Sequence, residues 1–243
     1  MPSLSFKSSV SVTHITTATA ILSIDDKGDF EQQGGFVLTK TDDPALGLED
    51  LPVIHAVLLS HEDHIDNLDT SGRTMLNGRH VFTTPRTSPH AQVFADSHPV
   101  QDHGNAHAAS SWWRVHGLRA RVAFVRLNEA DGLPNVVYVS GDTVHIPELA
   151  TELPKKYHVV VAFMNLGKAI APLPTGPVQI TMGGVQAAQL TRDIGAEKMV
   201  PLHFESWKHF TESGDDVRAE LAADAAVKDK VVWVVPGEKT TVV

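Results

Sequence analysis

The chain has no cysteine, which excludes disulfides and thiolate metal sites together. Any metal it holds must sit on His, Asp, Glu or Asn. Positive charge is also scarce: Lys plus Arg number 20 against 29 Asp plus Glu, and the formal net charge of −9 argues against unaided binding to nucleic acid or an anionic membrane. No apolar run approaches the ~18 residues of a membrane span, and residues 1–24 lack the basic start and apolar core of an export signal. The cytoplasm is therefore the expected location and a small molecule the expected partner. A G-x-S-x-G turn is missing as well, so serine and cysteine nucleophile schemes have nothing to stand on. No low-complexity tract interrupts the 243 residues, and a length that one β-rich or α/β fold commonly fills predicts a single domain over residues 1–243.

What the chain does have is histidine, fourteen of them, and a recurrent arrangement of apolar runs that stop in polar residues. Residues 10–24 are β-branched and partly alternating, as strands are. Residues 25–35, "DDKGDFEQQGG", read as turn and loop, and "FVLTK" as a short strand. "LPVIHAVLLS" suits a strand buried on both faces; residues 69–78 read as a short helix and "HVFTT" as the strand after it. Residues 90–117 hold five histidines and little periodicity. "RARVAFVRL" and "NVVYVSGD" are strands about the turn "NEADGLP", and "HVVVAFMNL" and "KMVPLHF" are two more. "TMGGVQAAQLTRDIGA" has helical spacing with Gly195 as its stop, "DDVRAELAADAAV" is a further helix, and "KVVWVVPG" a closing strand. Two groups of strands, each accompanied by helices, predict two packed sheets covered by helices.

Four polar clusters follow these strands: "SHEDHIDNLD" at 60–69, a histidine-bearing segment near 103–116, "SGDT" at 140–143 and "LHFES" at 202–206. Taken singly, each is an ordinary strand end, and 60–69 alone would pass for a solvated helix start with acidic residues favoured by the dipole. Together they change the reading. Imidazole and carboxylate suit zinc, iron or manganese, and ligands converging from separate strand ends can hold one or two ions rigidly.

The series "AVLLSHEDHIDNLD", "VVYVSGDTV", "HVVVAFMNLGKA" and "VPLHFESW" resembles the metallo-β-lactamase fold superfamily, in particular its lactonase-like branch, whose motifs read S-H-x-H-x-D-H-x-D, S-G-D-T and P-x-H-F in that order. The likeness extends from about residue 10 to the end. It implies an α/β fold, an αββα sandwich of two mixed β-sheets flanked by helices, with metal at one edge of the sheets. It also implies roles. His61 corresponds to the first ligand, His64 to the second histidine with one extra residue between them, and Asp66 to the aspartate that binds the second ion and orients the attacking hydroxide. Asp142 corresponds to the bridging carboxylate and His203 to the last histidine. The middle histidine falls on His116, with His103 and His107 as alternatives. Asn67 stands where the motif has histidine, and a neutral amide oxygen is the weaker zinc ligand. A second register makes Asp63 and His64 the second-site pair and leaves Leu59 where a histidine belongs.

The resemblance implies a metal-dependent hydrolase carrying one or two zinc ions, with Mn2+ or Fe2+ as alternatives. Metal-bound hydroxide would attack a small cyclic ester or cyclic amide, with Asp66 and Asp142 as the catalytic carboxylates. Lys168 and Trp207 are the expected substrate-binding residues, an ammonium for an anionic group and an indole for a flat ring; Lys208, Trp112 and Trp113 are further candidates for the pocket wall. The alternatives are a phosphodiesterase on the same metal core and, given Asn67, a degenerate metal-binding protein without turnover.

Overall fold

Runs of β-branched and aromatic residues punctuated by Gly, Pro and Asp set the element boundaries. The structure, a computed structural model, describes residues 11–13, 27–32, 35–51, 56–59, 70–78, 80–83, 108–115, 118–130, 132–173 and 176–242. In chain order come β1 (Ser11–Thr13), β2 (Gly28–Glu31), β3 (Val37–Lys40), β4 (Ala56–Leu59), helix α1 (Thr70–Met75) and β5 (His80–Thr83). Next are β6 (Ala108–Val115), β7 (Leu118–Ala130), β8 (Leu133–Val139), helix α2 (Pro147–Lys156), β9 (His158–Asn165), and the hairpin β10 (Ile170–Leu173) with β11 (Gly176–Gln179). Helix α3 (Gly184–Asp193), β12 (Lys198–Leu202), helix α4 (Gly214–Ala223) and β13 (Lys239–Thr241) complete the series.

A mixed five-stranded sheet runs β12-β9-β8-β7-β6. Its β6, β7 and β8 are antiparallel neighbours, whereas β8, β9 and β12 are parallel. Parallel neighbours need crossover connections, and these carry α2 and α3. The remaining strands pair two by two among the described residues: β4 with β5 in parallel, and β2–β3, β10–β11 and β1–β13 antiparallel.

Burial on both faces explains why the parallel strands read as near-continuous apolar runs. On one face Val136, Tyr138, Val159, Ala162, Met164 and Met199 pack with Leu149 and Leu153 of α2, Ala187 and Leu190 of α3, and Val217 and Leu221 of α4. The opposite face presents Val137, Val139, Val161, Phe163, Val200 and Leu202, with Val242 packed on them. The pairing of β8 with β9 slips after Val136–Val159, so that Val137 next meets Val161. That one-residue bulge at Val160 shifts the inward phase of β9, and so Val159 faces the helices while Val161 faces the other way.

Several expectations need correction. Residues 25–35 are not all turn: β2 forms there, paired from Gly28–Lys40 to Glu31–Val37. The Phe30 ring lies 5.5 Å from that of Trp207, a tertiary contact that outweighs the turn-rich composition. Most of the turn expected over residues 128–134 is strand, because β7 runs to Ala130 and β8 starts at Leu133. The closing run 230–237 does not become a strand; only Val231 bridges to Met199, and Trp233 and Val235 are exposed. Strand β6 lies in the segment with little periodicity, and α2 and the β10–β11 hairpin had no counterpart in the sequence reading.

Candidate metal centre

The C-terminal ends of three adjacent parallel strands carry the polar residues. β8 leads into Ser140, Gly141, Asp142 and Thr143; β9 ends on Asn165; β12 leads into His203. Because β9 lies between β8 and β12, Asn165 separates the other two along the sheet edge. Leu202 is the register partner of Asn165, and the Leu166 N–H donates to the Leu202 carbonyl at 2.9 Å, so His203 leaves the sheet level with the end of β9.

The turn after β8 is tied to β9 twice over. The Ser140 N–H donates to the Phe163 carbonyl at 2.9 Å, and the Asn165 N–H donates to Ser140 Oγ at 2.9 Å. The same hydroxyl donates to the Gly141 carbonyl at 2.8 Å. Gly141 takes φ +55°, a left-handed conformation that suits glycine and turns the chain sharply enough to bring Asp142 back over the strand end. There Asn165 Nδ2 donates to Asp142 Oδ1 at 2.9 Å.

On the far side, His203 is buried, with 5% of its surface exposed, and adopts φ +53°. A left-handed non-glycine residue at a strand end costs of order 1 kcal/mol or more and persists only where its surroundings hold it. Here they do. The Phe210 ring meets the imidazole edge-on at a centroid distance of 4.8 Å, and the loop beyond is stitched to β3: the Thr41 N–H donates to the Ser206 carbonyl at 2.8 Å and the Lys208 N–H to the Thr39 carbonyl at 3.1 Å. From the other direction, the Thr211 and Glu212 N–H groups donate to the Gly167 carbonyl at 3.1 and 3.3 Å. Gly167 takes φ +79°, and a Cβ there would lie 2.9 Å from Phe210 Cγ, 3.0 Å from Phe204 Cα and 3.1 Å from the His203 carbonyl oxygen. Glycine is what lets the two loops approach.

Of the residues anticipated from sequence, the structure therefore brings Asp142 and His203 to one end of the sheet. A carboxylate and an imidazole supported this way fit a divalent ion as two of its ligands. Among the described residues no group of three or more His, Asp or Glu is placed so that it could hold a metal ion. His61, His64, Asp66 and Asn67 lie outside the described residues, as do Asp63 of the second register and the three middle candidates His103, His107 and His116. Trp112 and Trp113 fall on β6.

The two anticipated substrate contacts differ in setting. Lys168 is exposed on the loop after β9 at φ +49°, its N–H donating to the Met182 carbonyl at 3.0 Å and its carbonyl accepting from Thr211 Oγ1 at 2.7 Å. Trp207 is only 5% exposed; its ring sits against Phe30 and, at 5.6 Å, His209, and its indole Nε1 is buried without a hydrogen-bond partner among the described residues. Near Lys168, burial raises the carboxyl pKa of Glu212; the Gly184 N–H donating to it at 2.9 Å opposes that rise, and the charge of Glu220 adds to it.

Sequence reasoning missed Asn165. Its signal was an amide at the very end of the apolar run "HVVVAFMN", between the strands that lead to SGDT and LHF.

No family model and no curated protein matches the chain. Among solved structures it is similar to an isothiocyanate hydrolase from Delia radicum gut bacteria, at 18% identity over 95% of this chain and 98% of that one, with a TM-score of 0.71. It is equally similar to a possible metal-dependent hydrolase from Veillonella parvula, at 18% identity over 96% and 100% with a TM-score of 0.71. The metallo-beta-lactamase fold protein YhfI from Bacillus subtilis matches at 16% identity over 93% and 97%, with a TM-score of 0.53. The chain thus has an α/β fold of the metallo-β-lactamase type. No helix among the described residues is long and apolar enough to cross a membrane.

Proposed function

We propose that this protein is a metal-dependent hydrolase whose centre is completed by His61, His64, Asp66 and His116 around the pair Asp142 and His203. The observation that carries the reading is the placement of Asp142 and His203 at the same end of β8 and β12, the parallel strands on either side of β9, on loops tied down by hydrogen bonds. The fold is one that an isothiocyanate hydrolase also has, which supports hydrolytic chemistry. A bound zinc ion, or Mn2+ or Fe2+, supplies a water acidified to roughly pKa 7 and a Lewis acid for the substrate oxygen. The chain's own residues then divide the remaining work. Asp142 and His203 would hold the centre in register with the sheet, Asp66 would orient or deprotonate the attacking water, and Lys168 at the rim would attract an anionic substituent.

The substrate is a small molecule with an electrophilic carbon: first a cyclic ester or cyclic amide, with an isothiocyanate carbon open to the same attack. The acidic balance of the chain makes a phosphodiester the weaker choice. Asn67 favours one second reading, a metal-binding protein without turnover. The test is a panel of lactones, lactams, isothiocyanates and a phosphodiester, assayed with metal-free and zinc-reloaded protein. Turnover of an ester, amide or isothiocyanate only after reloading is the expected result; zinc binding with no turnover on any of them would leave the second reading standing.

A further inference from the structure

Asn165 is fully buried and uses its side-chain amide unequally. Nδ2 donates to Asp142 Oδ1 at 2.9 Å, while Oδ1 is buried and has no hydrogen-bond partner among the described residues. The orientation follows from the chemistry: turned over, the amide would set its carbonyl oxygen against a carboxylate oxygen with no proton between them. A buried acceptor left without a donor costs about 1–3 kcal/mol, and such atoms in native proteins are explained by a strain, a catalytic role, or a water or ion that completes them. This one lies at the strand end between the residues that lead to Asp142 and His203.

We propose that Asn165 is a positioning residue of the metal centre. Its Nδ2 holds one carboxylate oxygen of Asp142 and so presents the other to the cation, and its Oδ1 accepts a hydrogen bond from an O–H group that enters with the ion. The terminal torsion of an aspartate is broad and two-fold, so an unrestrained Asp142 would lose much of its time to orientations that face away. The backbone of Asn165 is itself held by Ser140 Oγ, which makes the amide a fixed reference on the sheet. Groups that orient a metal ligand in this way typically account for a 10- to 100-fold difference in affinity or activity. This inference rests on the metal-centre reading above.

The test uses Co2+ alone as the probe, titrated into the metal-free full chain and followed by its visible absorption, in the native protein, Asn165→Leu and Asn165→Ser. Leucine keeps the volume and removes both the donor and the unpartnered oxygen; serine is the second variant should leucine fail to fold, its hydroxyl being too short to reach Asp142. The expected result is about 10- to 100-fold weaker Co2+ binding with an altered visible band, while the metal-free melting temperature stays within a few degrees of native. A merely structural amide would move the melt and leave the band unchanged. Native affinity and a native band in either folded variant would overturn the proposal while sparing the metal-centre reading. No Co2+ binding by the native chain would overturn both.

Discussion

Alanine at Gly167 tests whether the His203 loop is seated as described. Two penalties add. Alanine at φ +79° carries a left-handed backbone cost of roughly 1–2 kcal/mol, and its Cβ would lie 2.9 Å from Phe210 Cγ, 3.0 Å from Phe204 Cα and 3.1 Å from the His203 oxygen. Two of those three atoms are backbone and cannot swing aside, so the overpacking adds about 1–3 kcal/mol. Gly195 separates the penalties, because its φ is +65° while nothing lies within 4 Å of a Cβ built there. Urea unfolding of the metal-free proteins should therefore place Gly167→Ala below Gly195→Ala by about 1–3 kcal/mol with an unchanged m value. Equal destabilisation by the two substitutions would refute the close packing of the Gly167 and His203 loops.

Three further outcomes follow from the same geometry. Burial holds the Glu212 pKa above its ordinary range, so the native state binds the proton more tightly than the unfolded chain; stability is fully present below the unfolded value, and this contribution falls as pH rises through the raised one. Glu212→Gln, which keeps an acceptor for the Gly184 N–H, should flatten that part of a stability-versus-pH curve, and an unchanged slope would count against it. Ser213→Ala removes the cap of α4, where Ser213 Oγ accepts from the Asp216 N–H at 3.2 Å; a loss of about 1 kcal/mol in urea unfolding is expected, and none would show that the cap is redundant. Phe163→Ala deletes a ring that is 1% exposed at the end of β9, and a loss of about 3–5 kcal/mol is expected from the same assay.

The parallel strands were legible in the sequence because burial on both faces leaves little room for polar residues: "NVVYV", "HVVVAFM" and "KMVPL" all stand where they were read. The stop of α3 at Gly195, which takes φ +65°, was legible because glycine suits a left-handed helix end. What stayed hidden depends on contacts distant in the chain. Proline obscured two elements. Helix α2 has Pro147 in its first turn and Pro154 inside, and in the β10–β11 hairpin Pro172 faces Pro177, a pairing that costs no ladder bond when neither needs an N–H. Conversely, "KVVWVVPG" has strand composition, but beyond the single Val231–Met199 bridge its residues turn to other partners: Trp233 lies under the Arg218 guanidinium, 4.4 Å from the ring centroid. The motif stretches that carry Asp142 and His203 were legible as polar residues at strand ends, and both stand at one end of the sheet. Asn165 was not, since its meaning comes from β9 lying between β8 and β12, an order set only by tertiary pairing.

Whether Asp142 and His203 belong to one metal centre is read from metal content per chain, by elemental analysis on protein purified without added metal. Native protein and the Asp66→Ala, Asp142→Ala and His203→Ala variants are compared, with His209→Ala as the control. One or two ions are expected in the native chain and in His209→Ala, and little or none in Asp142→Ala and His203→Ala. A fall from two ions to one in Asp66→Ala would mark a dinuclear centre. Native protein free of metal, or full metal content retained by His203→Ala, would rule out a shared centre.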